Sequence, residues 1–215
     1  FGEAVDRQFE KIGFRCYLMP FRRMGDLAAG MGVGGSFRGG GDMFCGWPQK
    51  NNVRAQQFNT EQGRETVSIR AEKWAQGERQ LGVVHDALCD EPNFVRPGTG
   101  AELDEHPDNV AEFRRRMRTK YGSIDNYNKR MGTDRKSFEE IGPARMKEAR
   151  ESGKYAEFIE WRSFNTDRWC EVIKTVSDAA KKGDPNSALS LYNSFGEGAL
   201  GGNDYWKLLT KAGLG

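Results

Sequence analysis

The stretch HDALCDEPNF, residues 85–94, sets two carboxylates, Asp90 and Glu91, side by side where the apolar run LGVVHDALC ends, with Pro92 directly after. Like charges this close disfavour joint ionisation, so such a pair can keep one proton into the range where a carboxyl works as a general acid. Position adds to type. In parallel α/β barrels the carboxyl ends of the strands carry the reacting groups, and the pair stands one step past a strand-like run. A strand end also lets a charge reach water, so a solvated edge before a proline turn is the competing reading.

Other chemistries find less support. The four cysteines, Cys16, Cys45, Cys89 and Cys170, are far apart, form no CxxC, and have only His85 and His106 beside them, so no metal site or cofactor is expected. The glycines of residues 30–41 suggest an anion cradle, but GSFRGGGDMF supplies neither a clear helix N-terminus nor a lysine. GMGVGG lacks the strand-to-helix setting of a dinucleotide fingerprint. His106, before a proline at a helix start, reads as a neighbour of the cap.

The chain must supply elements that hold these residues in place. Its 215 residues suffice for one domain with a core, or for part of a larger one. With 33 basic and 31 acidic residues the formal net charge is +2, which suggests no electrostatic grip on nucleic acid or an anionic membrane. No run of 18 apolar residues occurs, so no transmembrane helix is expected.

Ala4, Val5, Phe9 and Ile12 fall at helical spacing before Gly13, and GFRCYLMP follows as a strand. Residues 21–60 are glycine-rich with little periodicity and read as a long loop. Residues 64–80 form a helix pattern, LGVVHDALC a second strand, and NVAEFRRRMRTKYG a helix with Asp108 as N-cap and Gly122 as stop. A long helix is expected from about Lys154 to Lys182, with Phe158, Trp161, Phe164, Trp169 and Val172 as its core face and Gly183 and Pro185 as its stop. SALSLYNS is the third strand and NDYWKLLTKAGLG the helix after it. Alternation of this kind fits part of a (β/α)8 TIM barrel or a small doubly wound sheet, and the missing dinucleotide fingerprint favours the barrel. The expectation is one partial barrel domain over residues 1–215, a central portion of a longer enzyme, because Phe1 opens inside a helix pattern and the chain ends where another strand is due.

KYGSIDNYNKRMGT with SFEEI after it, residues 120–141, resembles the YGTIEALNEAWGT and SFDEI phrase of family 42 glycoside hydrolases, the β-galactosidase-type enzymes. Family 50 agarases carry a similar phrase. EWRSFNTD, residues 160–167, is similar to the DWRRFQSD that those enzymes place on the next long helix. The matches cover roughly residues 80–215, and within them Tyr121, Asn128 and Gly132 are expected to shape a turn and pack against the barrel.

The resemblance implies retaining hydrolysis of a β-galactoside or galactan-like glycan, without cofactor. In those families the fourth strand ends in Asn-Glu, so Glu91 takes the acid/base role. Asp90 stands where the asparagine would bind the sugar 2-hydroxyl, and an ionised aspartate accepts but cannot donate. The nucleophile of those families comes from a seventh strand; Glu197 is the one internal candidate, and a loop glutamate between glycines is its plainer reading. Around such a site Trp47 is a candidate stacking platform, and Arg22 and Arg23 are candidate contacts for hydroxyls or a sulfate. Tyr192 and Asn193, ending the third strand, face the same cleft. The rival reading is a non-catalytic carbohydrate-binding barrel.

Overall fold

In this computed structural model of the chain, the described residues are 8, 11, 16–19, 34–38, 48–50, 53–54, 60–80, 83–90, 104–186, 188–192 and 204–214. The first strands are β1 (Cys16–Met19), β2 (Gly34–Arg38), β3 (Pro48–Lys50) and β4 (Val53–Arg54), followed by helix α1 (Glu61–Arg79) and β5 (Val83–Asp90). Helices α2 (Pro107–Tyr121), α3 (Ile124–Met131), α4 (Met146–Ser152) and α5 (Ala156–Gly183) precede β6 (Ala188–Tyr192) and α6 (Tyr205–Lys211). The N-terminal helix pattern is described only at Gln8 and Lys11, both helical and exposed.

The main sheet runs β1-β2-β5-β6, parallel throughout, while β3 and β4 form a separate antiparallel pair. Strand order rises steadily along the chain. A doubly wound sheet reverses direction at a switch point, and the described strands show no reversal, the order that a portion of a barrel would have. The described strands do not close on themselves: β1 and β6 are the two edges.

β2 corrects the reading of residues 21–60 as a loop. GGSFR has two glycines in five residues and little intrinsic strand preference. Pairing on both flanks, with β1 through Cys16–Gly34 and with β5 through Phe37–Asp86, is what holds it extended.

Helix α5 joins two cores. Its C-terminal half puts Trp169, Ile173, Val176 and Ala180 against Val67, Ala71 and Ala75 of α1, Leu88 of β5 and Leu189 of β6. Its N-terminal half puts Trp161 and Phe164 into a second cluster with Phe113, Met117, Tyr127, Met131, Phe138 and Ile141. Trp161, Phe164 and Trp169 are between 1 and 3% exposed, as expected of core residues. Trp161 meets Phe113 edge to face at 5.0 Å, a geometry that adds to the area buried.

Local signals set the helix ends. At α2 the cap is His106 in place of the Asp108 expected, its Nδ1 accepting from the Asp108 amide at 3.2 Å. Pro107 then opens the helix, where a missing N–H costs nothing. Gly122 stops α2 with φ 73° and Gly132 stops α3 with φ 68°, conformations open to glycine without strain.

The YGS phrase builds α3 and its exit. Ser123 caps α3, and Asn128 gathers the following turn, donating to the Arg135 carbonyl and accepting from Thr133 and the Arg135 amide. Tyr121 donates to Glu160 at 2.7 Å and Tyr127 to Glu157 at 3.0 Å, so the phrase is fastened to the front of α5. Burial and the Glu160 carboxylate push the Tyr121 hydroxyl pKa up, keeping it a donor.

Candidate active site

The site builds from the carboxyl edge of the sheet. β5 ends at Asp90 and β6 at Tyr192, and those two residues are register partners on adjacent parallel strands. Ala87 pairs with Ser190 and Asp90 with Tyr192, so three steps on β5 answer two on β6. A bulge of this kind re-aims the chain and is over-represented beside active sites. Asp90 is itself the last strand residue, one position later than the apolar run suggests.

Leu88, 0% exposed, and Leu189, 2% exposed, lie in the core shared with α1 and α5, fixing the two strands against the helices. Rigid support of this kind is what a reacting group needs. Asp90 therefore ends a strand that is anchored in this core through Leu88. Of the sequence-derived candidates, Asp90 and Tyr192 are brought together at the backbone. Glu91, Arg22, Arg23, Trp47, Asn193 and Glu197 lie outside the described residues.

The connection that leaves β5 is tied down at its far end by a feature sequence reading missed. Asn165 of α5, fully buried, accepts from the Asp104 amide at 3.3 Å and from Asn109 Nδ2 at 2.9 Å. Asn109 Nδ2 also donates to the Asp104 carbonyl at 2.7 Å, and Asn165 Nδ2 donates to the Trp161 carbonyl at 2.9 Å. Buried amides with several partners fix geometry because each lost bond leaves a desolvated group behind. The signal was present in EWRSFNTD, where a polar residue, Asn165, interrupts the apolar face of α5.

One cavity, about 690 Å³, opens between α1, α2 and α5 and is lined among others by Arg64, Glu112, Arg115, Arg168 and Glu171. The described residues that line it all come from these helices. Its charges are committed to one another: Arg115 and Arg116 reach Glu112 at 2.6 and 2.7 Å, and Arg116 and Arg168 reach Glu171 at 2.7 and 2.5 Å. The Arg115 hydrogen bond, with Arg116 behind it, holds Glu112 at about 2 against the opposing effect of burial. An acid so firmly ionised is a poor proton donor, so this groove joins helices and does not compete with the strand ends as a reaction site.

Cys170 is a free, buried thiol pushed up to about 11 by burial. Among the described residues no cluster of three metal-ligating side chains occurs, and no helix is long and apolar enough to cross a membrane.

No family model matches the chain, and neither does any sequence among the curated proteins. Solved structures do. The β-galactosidase of the psychrophilic Marinomonas ef1 superposes with a TM-score of 0.63 at 15% identity, over 88% of this chain and 35% of that one. The β-galactosidase of Bacillus circulans sp. alkalophilus gives 0.61 at 14% identity, over 88% and 34%. The catalytic domain of the β-amylase of Paenibacillus polymyxa gives 0.61 at 15% identity, over 90% and 62%. The chain thus spans about a third of the length of these β-galactosidases. The likeness is one of fold: the chain superposes on a portion of the barrels of these enzymes, and at this identity it singles out no family.

Proposed function

We propose that the chain is the acid/base-bearing part of a retaining glycoside hydrolase acting on a β-galactoside or galactan-like glycan. Glu91 gives its proton to the glycosidic oxygen as the bond from that oxygen to the anomeric carbon breaks. After a second carboxylate has captured the sugar, Glu91 takes a proton from the water that releases it. Asp90 accepts from a sugar hydroxyl and its charge favours a protonated Glu91. Tyr192, Asn193, Trp47, Arg22 and Arg23 are the proposed contacts to the carbohydrate.

The observation that carries this reading is the pairing of Asp90 with Tyr192 at the carboxyl edge of a parallel sheet, behind a bulge, in a chain with the fold of glycosidase barrels. The test uses the protein expressed from its complete gene. Glu91→Gln lowers kcat/KM on an alkyl β-galactoside by about 10²–10⁴, the usual worth of a general acid. On a dinitrophenyl β-galactoside, whose leaving group needs no proton, the sugar-transfer step of Glu91→Ala falls by less than about tenfold. Azide, which needs no base, then restores turnover and yields a β-galactosyl azide. Equal losses on both substrates, with no azide product, sink the assignment.

The aspartate at position 90, where the resembling enzymes have asparagine, favours one second reading, a barrel that binds carbohydrate without cleaving it. Galactan binding by a folded protein without turnover of any galactoside decides for that reading.

A further inference from the structure

The glycine-rich stretch that fits no anion cradle of the usual kind is given a different place by the sheet. Residues 34–41 read GGSFRGGG, and Arg38 is the one charged residue among them. The first five are β2, with Arg38 as its last residue. β2 runs beside β5 and parallel to it, so Arg38 ends its strand at the same carboxyl edge as Asp90. Gly39, Gly40 and Gly41 follow directly, residues that let a ligand come close to the backbone.

Register and alternation fix the face. Arg38 pairs with Ala87 of β5, and Ala87 with Ser190 of β6. Register partners share a face of the sheet, and neighbours along a strand alternate. Leu189 lies in the core with α1 and α5, so the row Arg38, Ala87, Ser190 belongs to the opposite face, the inner one in a barrel. Tyr192, two residues past Ser190, falls on that face too, and the bulge brings Asp90 into register with it. From Arg38 to Asp90 is one strand across, about 4.8 Å, and two residues along as counted on β6, about 6.6 Å. Their backbone positions are thus about 8 Å apart, a gap that one sugar ring bridges.

Charge decides what such an arginine is for. Asp90 and Glu91 by themselves repel an anionic glycan. A guanidinium on the next strand offsets that repulsion and offers a planar fork of donors, the geometry that suits a carboxylate or the oxygens of a sulfate ester. A permanent pair between Arg38 and Asp90 would cancel the charge through which Asp90 favours a protonated Glu91. An anion on the substrate occupies the arginine and leaves that charge in place.

We propose that Arg38 is a substrate-binding residue of the carbohydrate site and that it selects glycans carrying an anionic substituent, a sulfate ester or a carboxylate. This rests on the site proposed at Asp90 and Glu91 and adds the substrate class to it.

The test is made on the protein expressed from its complete gene, with Glu91→Gln in place so that no probe is cleaved. Calorimetry measures the binding of galactan oligosaccharides that bear sulfate esters, of the same oligosaccharides after desulfation, and of the desulfated ones after oxidation of their 6-hydroxyls to carboxylates. One of the two charged probes is expected to bind about 10–100-fold more tightly than the neutral one, the usual worth of a charge-assisted hydrogen bond. Which of them does so names the anion. Arg38→Met, similar in length and uncharged, abolishes the preference while binding of the neutral probe stays within about twofold and the melting temperature within about 2 °C. Arg38→Lys keeps part of the preference, because the charge remains and the fork is lost. Equal binding of all three probes, or a preference that survives Arg38→Met, overturns the proposal. So does an Arg38→Met variant that loses charged and neutral probes alike, which gives the arginine to Asp90 or to the fold. The azide test of Glu91 is separate: no preference with rescue intact sinks this inference alone, and a preference without rescue sinks only the chemistry.

Discussion

The side chains that matter most divide into those that must stay ionised and those that must change protonation. Glu112 belongs to the first class. Its carboxyl is held at about 2 in the fold against an ordinary 4.5, first by the Arg115 hydrogen bond and then by Arg116. A depressed folded pKa contributes stability that is fully present above the unfolded value and is lost as pH falls through the folded one. The window therefore runs from about pH 4.5 down to about pH 2. Glu112→Gln is expected to lose stability at pH 7, by at most about 1 kcal/mol because the pair is near the surface. The gap between variant and parent closes as pH approaches 2. Urea midpoints of both proteins at pH 7 and pH 2.5 measure it, and a gap that stays constant refutes the linkage. Glu91 is proposed for the second class: as an acid/base it would hold a proton and then give it up, and the charge of Asp90, its neighbour in sequence, would act in the opposite direction to the arginines around Glu112.

At the scale of elements, α5 decides the architecture, because one continuous helix serves both cores. Its last turn crosses α1 closely enough that Gly183 leaves no room for a side chain. A Cβ there would run into the Glu72 carbonyl oxygen and stand 2.9 Å from Ala75 Cβ and Gln76 N. Two of those obstacles are backbone and cannot swing away. Gly183→Ala is expected to cost about 3 kcal/mol by forcing the helices apart, read as a lower urea midpoint with unchanged slope; a neutral substitution would show that the crossing is loose. Sequence patterning already indicated Gly183, but as a stop signal, and its packing role depends on α1, which lies about a hundred residues earlier. The same distinction separates what was legible from what was not. Long periodic segments such as α5, α2 and α1 could be read because their apolar faces repeat within a few residues, and β5 because its run is mostly apolar, with only His85 and Asp86 interrupting LGVVHDALC. β2 could not, since GGSFR is extended only through its neighbours on either side. The cap at His106 was displaced by two residues because Pro107 already occupies the first helical position. Within the site, the Asp90 strand end was legible from the run before it. The Asn165 clamp joins residues 61 and 56 positions apart and left only a polar interruption on one helix face.

For the whole molecule, the proposed retaining mechanism calls for a second carboxylate, and the steady strand order bears on where it would stand. Retention requires it about 5 Å from the acid/base, across the sugar. In the enzymes that the YGS phrase resembles, the acid/base ends the fourth strand and the nucleophile the seventh. On that resemblance β5 is proposed for the fourth place and β6, its neighbour in the sheet, for the fifth, which would set the nucleophile's strand two further round. A 2-deoxy-2-fluoro β-galactoside with a dinitrophenyl leaving group makes the prediction concrete. Its fluorine destabilises the oxocarbenium-like transition states of both steps, while the good leaving group keeps the first one fast, so the sugar accumulates on the nucleophile. In the protein expressed from its complete gene, the label is expected on a carboxylate outside residues 1–215, found by peptide mass mapping. Glu197→Gln is expected to keep kcat/KM within about threefold, the range of a loop residue without a chemical role. A label on Glu197, with activity abolished by that substitution, would put both carboxylates on neighbouring strands of this chain and overturn the seventh-strand assignment. A protein that binds galactan, takes no label and turns over neither substrate would remove the chemistry altogether and leave the barrel as a binding module.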